Sequence, residues 1–254
     1  MSENELLFSL FFVSCRSKNK VEQPMIKDFD LLQRANNDYT TIDLEHAEEL
    51  AYRELIDSIR YIPLGDECGV MGNIANIITY KGRFYIQEEQ FDRVFIYDDT
   101  GRCLKKIDNK GRGPGEYLRI ESIDINTEKE ELMLVDGMSD KLFFYDLDGN
   151  FKSIHSIRYF QTENTLCLRD SVFLHISAPS QNFGNEGLYG YALVLSKGNE
   201  NFLKGYRYLP LQVGYKGGGQ IFKGYERSCY HPIYSDTIYQ ILSDITYGPI
   251  FYFK

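Results

Sequence analysis

The densest grouping of chemically useful side chains in this 254-residue chain is the string Gly111-Arg112-Gly113-Pro114-Gly115-Glu116-Tyr117. Its glycines have the spacing of a phosphate loop. A dinucleotide fingerprint, however, needs a helix N-terminus behind the glycines to hold the pyrophosphate. Here the strand-like Tyr117-Leu118-Arg119-Ile120 follows, and Pro114 removes one of the amides that would cradle a phosphate. The string reads instead as a connection between two β units that brings Arg112, Glu116 and Tyr117 to one face. Arg112 there offers a planar fork for carboxylates or sulfates, and Tyr117 a stacking surface for sugars. The plainer alternative is that Arg112 and Glu116 pair with each other and lock the connection.

Other candidate chemistry is sparse. His46, His155, His175 and His231 are scattered, with none at metal-ligand spacing from another, so no metal site is read. No Gly-x-Ser-x-Gly elbow or local Cys/His arrangement occurs, and no cofactor motif survives inspection. Asp146-x-Asp148-Gly149-Asn150 has the start of a calcium loop without its later ligands, and it reads as a hairpin turn. Five cysteines, at 15, 68, 103, 167 and 229, form no C-x-x-C pair. With Cys15 set aside, the remaining four allow three disulfide pairings. They read as free, buried thiols that pack as small apolar residues.

The elements that must position these groups announce themselves by repetition. Ile77–Ile107 aligns without a gap on Ile125–His155, at a spacing of 48 residues. Identical pairs are Ile77/Ile125, Thr79/Thr127, Lys81/Lys129, Asp92/Asp140, Phe95/Phe143, Tyr97/Tyr145, Asp98/Asp146 and Gly101/Gly149. A period of roughly 40–50 residues built from short strands is the signature of a β-propeller blade. Each copy holds strands at Arg83–Ile86, Arg93–Tyr97 and Cys103–Ile107, then at Glu131–Val135, Lys141–Tyr145 and Phe151–Ile154. The turns are Asp98–Gly101 and Asp146–Gly149. The repeat aligns Cys103 with Phe151, which favours packing for that thiol. Weaker copies follow around Asp170–His175, Tyr191–Leu195, Phe202–Tyr206 and Asp236–Ile241, with a Gly/Tyr-rich loop at Val213–Tyr225. The expectation is an all-β propeller of about four blades. Thr40–Leu44 reads as a short strand, Leu44–Ile59 as a helix, and Arg60–Leu64 as strand-like.

Composition sets the surroundings. Aromatics make up 15% of the chain, all Tyr and Phe, which favours sheet over helix. With 28 basic and 37 acidic residues the net charge is −9, which disfavours nucleic acid and a purely electrostatic membrane contact. Leu6–Val13 is apolar apart from Ser9, too short to span a bilayer but suited to the core of an export signal. Val13-Ser14-Cys15 is similar to the lipobox of bacterial lipoproteins, which implies lipidation at Cys15. Phe12 and the acidic Met1–Glu5 depart from that pattern. The expected organisation is a signal segment at 1–15, a tether and lead-in at 16–54, and the propeller at 55–254.

Arg60–Leu64, Gly111–Tyr117, the Asp146–Gly149 turn and Ser235-Asp236-Thr237-Ile238-Tyr239 together resemble the six-bladed β-propeller lipoproteins of Gram-negative gut bacteria. These are related in architecture to NHL-repeat propellers. The resemblance implies a periplasmic or outer-membrane lipoprotein that binds a peptide, protein or glycan, without cofactor and with membrane contact only through its lipid. The alternative it allows is a glycan- or peptide-directed lyase or hydrolase, built from groups such as His155, His175, His231, Arg112 and Arg169 around the channel. It also implies six units where this sequence holds about four. That difference suggests a C-terminally shortened chain, an inactive fragment in one reading, with exposed strand edges and a tendency to self-associate.

Overall fold

The structure is a computed structural model and describes residues 30–31, 40–45, 56–157, 161–169, 171–177, 182, 188, 191–198, 201–208, 219–223, 228–232, 235–241 and 247–253. Two short strands, β1 (Asp30–Leu31) and β2 (Thr40–Ile42), precede four antiparallel sheets. The first sheet is β3 (Ile74–Tyr80), β4 (Arg83–Glu88), β5 (Arg93–Asp98) and β6 (Cys103–Ile107). The second is β7 (Ser122–Asn126), β8 (Glu131–Asp136), β9 (Lys141–Asp146) and β10 (Phe151–Ser156). The third is β11 (Asn164–Arg169), β12 (Val172–Ile176), β13 (Tyr191–Lys197) and β14 (Asn201–Tyr208). The fourth is β15 (Gln220–Lys223), β16 (Ser228–His231), β17 (Thr237–Ile241) and β18 (Tyr247–Phe253). Each sheet is a simple meander, the blade of a β-propeller, as the repeat foretold.

In the first three blades the first strand lies innermost: β3 packs beside β7, and β7 beside β11. Successive blades are sealed by three apolar seams. Tyr85, Val94, Ile96 and Ile107 of the first blade meet Ile125, Leu132, Phe143 and Tyr145 of the second. Met133, Val135 and Phe144 meet Cys167, Phe173 and Val194 of the third. Leu174, Leu193 and Leu195 meet Tyr230 and Ile241 of the fourth. Among the described residues no core cluster joins the fourth blade to the first.

The repeat's invariant residues have local reasons. Asp98 and Asp146 open their hairpins by accepting amide protons from inside the turn: Thr100 and Arg102 for one, Asp148 and Asn150 for the other. Gly101 and Gly149 take φ of 89° and 80°, which a side chain disfavours. The hydrogen bonds that occupy these carboxylates close a turn, and they confirm the hairpin reading of Asp146–Gly149. Asp92 and Asp140 sit at φ of 57° and 53°, a left-handed conformation that Asp tolerates better than most residues.

Several expectations are corrected. Arg60–Leu64 is not strand. The segment read as the Gly/Tyr-rich loop contains β15. β1 and β2, from the stretch expected as tether and lead-in, pair in parallel with β14 and β18 as outermost fifth strands. The helix expected over Leu44–Ile59 falls mainly outside the described residues, and its described ends are not helical. Cys15 lies outside them too.

Candidate functional site

The Gly111–Tyr117 connection leaves β6 and returns to the inner strand of the second blade. It closes on itself through Gly111 N–H to Tyr117 O at 2.9 Å and Tyr117 N–H to Asn109 O at 3.1 Å. Tyr117 is fully buried, donating its hydroxyl proton to Asp92 O at 2.8 Å and accepting from Asn109 N–H at 3.1 Å, with its ring edge-on to Phe143. Burial drives its phenol far above the ordinary tyrosine range. Its ring is therefore a fastener between two blades, not the stacking surface expected for a sugar. Glu116 is exposed, and its carboxylate accepts Gly113 N–H at 2.7 Å, so it locks the connection through the backbone rather than through Arg112. Arg112 is exposed and makes no ion pair among the described residues.

The groups that gather into a cleft come from slightly further along. A polar depression of about 520 Å³ is lined by Arg119, Glu121, Gly137, Gln161, Thr162 and Glu163. Glu121 immediately precedes β7 and Glu163 immediately precedes β11. Gly137 belongs to the turn from β8 to β9. The cleft thus opens on the axial face, where two inter-blade connections enter the innermost strands. Its walls are fixed by backbone bonds: Glu121 N–H to Val135 O at 2.8 Å and Glu163 N–H to Ile176 O at 2.7 Å. Asp136, 1% exposed, accepts from the amides of Leu118, Met138 and Ser139, tying the turn to the connection. Gln161 N–H donates to Asn182 Oδ1 at 2.8 Å. A Cβ on Gly137 would stand 2.7 Å from Glu121 Cγ, so only glycine lets the turn approach this closely.

The cleft carries both signs of charge. Arg119 Nε lies 3.2 Å from a Glu121 carboxylate oxygen. Desolvation raises the Glu121 pKa, opposed by Arg119 and assisted by the negative field of Asp92, Asp136 and Glu163. Thr162 Oγ1 sits 2.6 Å from Asn164 O and 2.9 Å from Ile176 O. At the first positions of β7 and β11, Ser122 Oγ and Asn164 Oδ1 are buried with no hydrogen-bond partner among the described residues.

His46 lies outside the described residues, and the three described histidines serve their own sheets. His175 is 1% exposed, with Nδ1 2.9 Å from Thr165 Oγ1 and Nε2 2.8 Å from Ser196 Oγ. Burial pushes its pKa down to about 3, so it stays neutral. His155 packs on Phe144 with ring centroids 4.7 Å apart. His231 Nε2 is 2.8 Å from Ser235 O. Among the described residues no three His, Cys, Asp or Glu side chains gather as metal ligands. Cys167 is buried, and desolvation aided by Asp124 pushes its thiol up to about 12, which removes it as a nucleophile.

The reading of four free thiols is corrected at one pair: Cys68 and Cys103 form a disulfide, with Cα atoms 5.9 Å apart. Cys103 does pack as the repeat suggested, but Cys68 lies on the lead-in, outside the repeat, where no pattern pointed to it.

An all-β array of four-stranded blades with a polar cleft on the axial face defines the architecture of a β-propeller. Residues 39–254 match the family described as a domain of unknown function, DUF4934, and the chain belongs to that family. A crystal structure of a Bacteroides fragilis protein described as exported superposes with a TM-score of 0.72 at 20% identity, over 85% of this chain and 60% of that one. The chain therefore spans less than two thirds of that protein's length. A member of the DUF4221 family from Bacteroides vulgatus aligns at a TM-score of 0.41 and 10% identity, over 70% of this chain and 56% of that one. A catalytically inactive virginiamycin B lyase from Staphylococcus aureus with quinupristin aligns at 0.44 and 10% identity, over 70% and 55%. No curated protein matches the sequence. No helix of the described residues is long and apolar enough to cross a membrane.

Proposed function

We propose that the protein is a cell-envelope binding module, anchored by lipid at Cys15, that holds a peptide or glycan in the axial cleft without transforming it. The observation that carries this reading is the cleft itself. It combines a guanidinium, two carboxylates, an amide and a hydroxyl on walls fixed by backbone hydrogen bonds, and such convergent polar groups orient a ligand. Loops set on a rigid sheet scaffold are the usual carriers of recognition. Three further observations support the location. The Leu6–Val13 run leads to Ser14-Cys15, the Cys68–Cys103 disulfide suits an oxidising compartment, and a structural relative is described as exported.

The test is direct. Envelope oligosaccharide and peptide pools are passed over immobilised protein, and retained material is titrated calorimetrically against wild type, Glu121→Gln and Thr162→Val. Loss of affinity by tenfold or more in the two variants supports the cleft, and unchanged affinity moves the site elsewhere. Cys15→Ala should release the protein from the membrane fraction, and unchanged membrane association rejects the anchor.

A further inference from the structure

Three blades converge on one ammonium group. Lys223, the last residue of β15, points its Nζ at Asp124 Oδ1 (2.8 Å), Asp124 Oδ2 (2.9 Å), Ile125 O (2.9 Å) and Cys167 O (3.4 Å). Asp124 and Ile125 belong to β7 and Cys167 to β11. The contact thus bridges from the fourth blade to the innermost strands of the second and third. Asp124 is 1% exposed, and its Oδ2 also accepts Cys167 N–H at 2.7 Å. The lysine side chain keeps 31% of its surface exposed, so its head is reached from solvent along its own stem.

The oxygens around Nζ are both atoms of a carboxylate and two main-chain carbonyls. That is the donor set hard cations take. It is also rigid. Asp124 and Ile125 are fixed by the register of β7 on β8, opposite Met133 and Leu132, and Cys167 is the last residue paired in register with β12, opposite Phe173, before the ladder shifts toward Arg169. Strand pairing on the other side keeps these oxygens near their places when the ammonium leaves, so removing it leaves a preformed cage of oxygens.

We infer that Asp124, Ile125 O and Cys167 O form an axial cation site, and that Lys223 is its tethered occupant. Tethering gives the ammonium a high effective concentration, so free ions do not displace it from the intact protein. The fourth blade is then held to the axis by a bound cation that happens to be covalently its own, in addition to its apolar seam. This inference is independent of what the axial cleft binds.

The test uses the full chain in a buffer whose only cation is tetramethylammonium, which is too large for the cage. Lys223→Ala should lower the melting temperature by roughly 10 °C, the scale expected when a buried pair loses one partner. Potassium, ammonium or calcium chloride should restore most of that loss with a saturable dependence. Tetramethylammonium at equal ionic strength should not. Wild type should be indifferent, and Lys223→Ala with Asp124→Asn should show no rescue. The site is overturned if none of the three ions rescues saturably, or if the double variant is rescued equally. Should Lys223→Ala fail to fold, Lys223→Gln supplies a second readout: terbium luminescence must appear on titration and disappear with Asp124→Asn, and its absence refutes the site.

Discussion

Phe95 and Tyr97 in the first blade, and Phe143 and Tyr145 in the second, stand one repeat apart and are all buried to 0 or 1% exposure. What buries them differs. Phe143 and Tyr145 pack on a whole preceding blade. Phe95 and Tyr97 pack on a strap, the lead-in that places Cys68 and Met71 over them. A blade offers several side chains from three strands, and a strap offers few, so the strap is fastened. Gly65 N–H donates to Gly101 O at 2.8 Å, Tyr97 hydroxyl to Gly65 O at 3.3 Å and Cys103 N–H to Glu67 Oε2 at 3.2 Å. The Cys68–Cys103 disulfide completes the set. Equal burial therefore has two origins, apolar area in one seam and covalent and polar fastening in the other.

Substitutions separate the two. Phe143→Ala should cost about 3–5 kcal/mol in denaturant unfolding, because the opposing blade cannot collapse into the space. Replacing both Cys68 and Cys103 by serine opens a loop closed over 35 residues and should cost about 3–4 kcal/mol. The two sites should then diverge in a double-mutant cycle. Without the disulfide, Phe95→Ala should lose at least half of its own cost, since the strap no longer covers the ring, while Phe143→Ala should cost what it did before. Equal costs in both backgrounds would show that the strap stays down without its disulfide and that the two seams are alike.

A second contrast lies within the blades. The first two are aromatic at their centres, whereas the third carries the buried chain Thr165–His175–Ser196. The native pKa of His175, about 3, lies below its unfolded value near 6.5, so the unfolded chain takes up the proton first. The stability this neutral histidine permits is fully present above pH 6.5 and is lost as the pH falls toward 3. Between pH 7 and pH 5 that amounts to about 2 kcal/mol. Equilibrium unfolding of wild type and His175→Gln at the two pH values measures it. The variant starts lower but should lose less on acidification, and parallel losses would remove the histidine as the cause.

The same contrast explains what was legible in the sequence. The second and third strands of the first three blades are largely apolar and buried along nearly their whole length, and the 48-residue repeat carries them in the first two, so the propeller is legible in the sequence. The inner strand is not. Ser122, Asp124 and Asn126 look like a solvent face but are buried at 4%, 1% and 1% exposure, because they point toward the axis and neighbouring blades. β15 was hidden in a Gly/Tyr-rich stretch for the same reason: its Lys223 is a surface residue by type and an axial one by position. The cleft was missed more narrowly. The glycine string marks the connection and points to Arg112, Glu116 and Tyr117, whereas the residues that line the cavity begin two positions later. Their partners Gln161, Thr162 and Glu163 lie some forty residues further on and share no local pattern with Arg119 and Glu121.

The cleft should differ from both seams in one further respect, since residues kept for recognition need not stabilise. Glu121 is held partly desolvated among Asp92, Asp136 and Glu163, and its pKa is raised. A carboxylate with a raised native pKa weakens the fold as the pH rises through that pKa, and protonation on acidification relieves the cost. Glu121→Gln removes the charge while keeping the shape. Its effect on unfolding at pH 7 should lie within about 0.5 kcal/mol of wild type, with no loss on the destabilising side expected. The variant should also flatten whatever part of the stability profile falls with rising pH above 4.5. A large destabilisation would mean that the Arg119–Glu121 pair is a structural clamp like Glu116. The axial face would then be fastened in the manner of the strap, with nothing left over for a ligand.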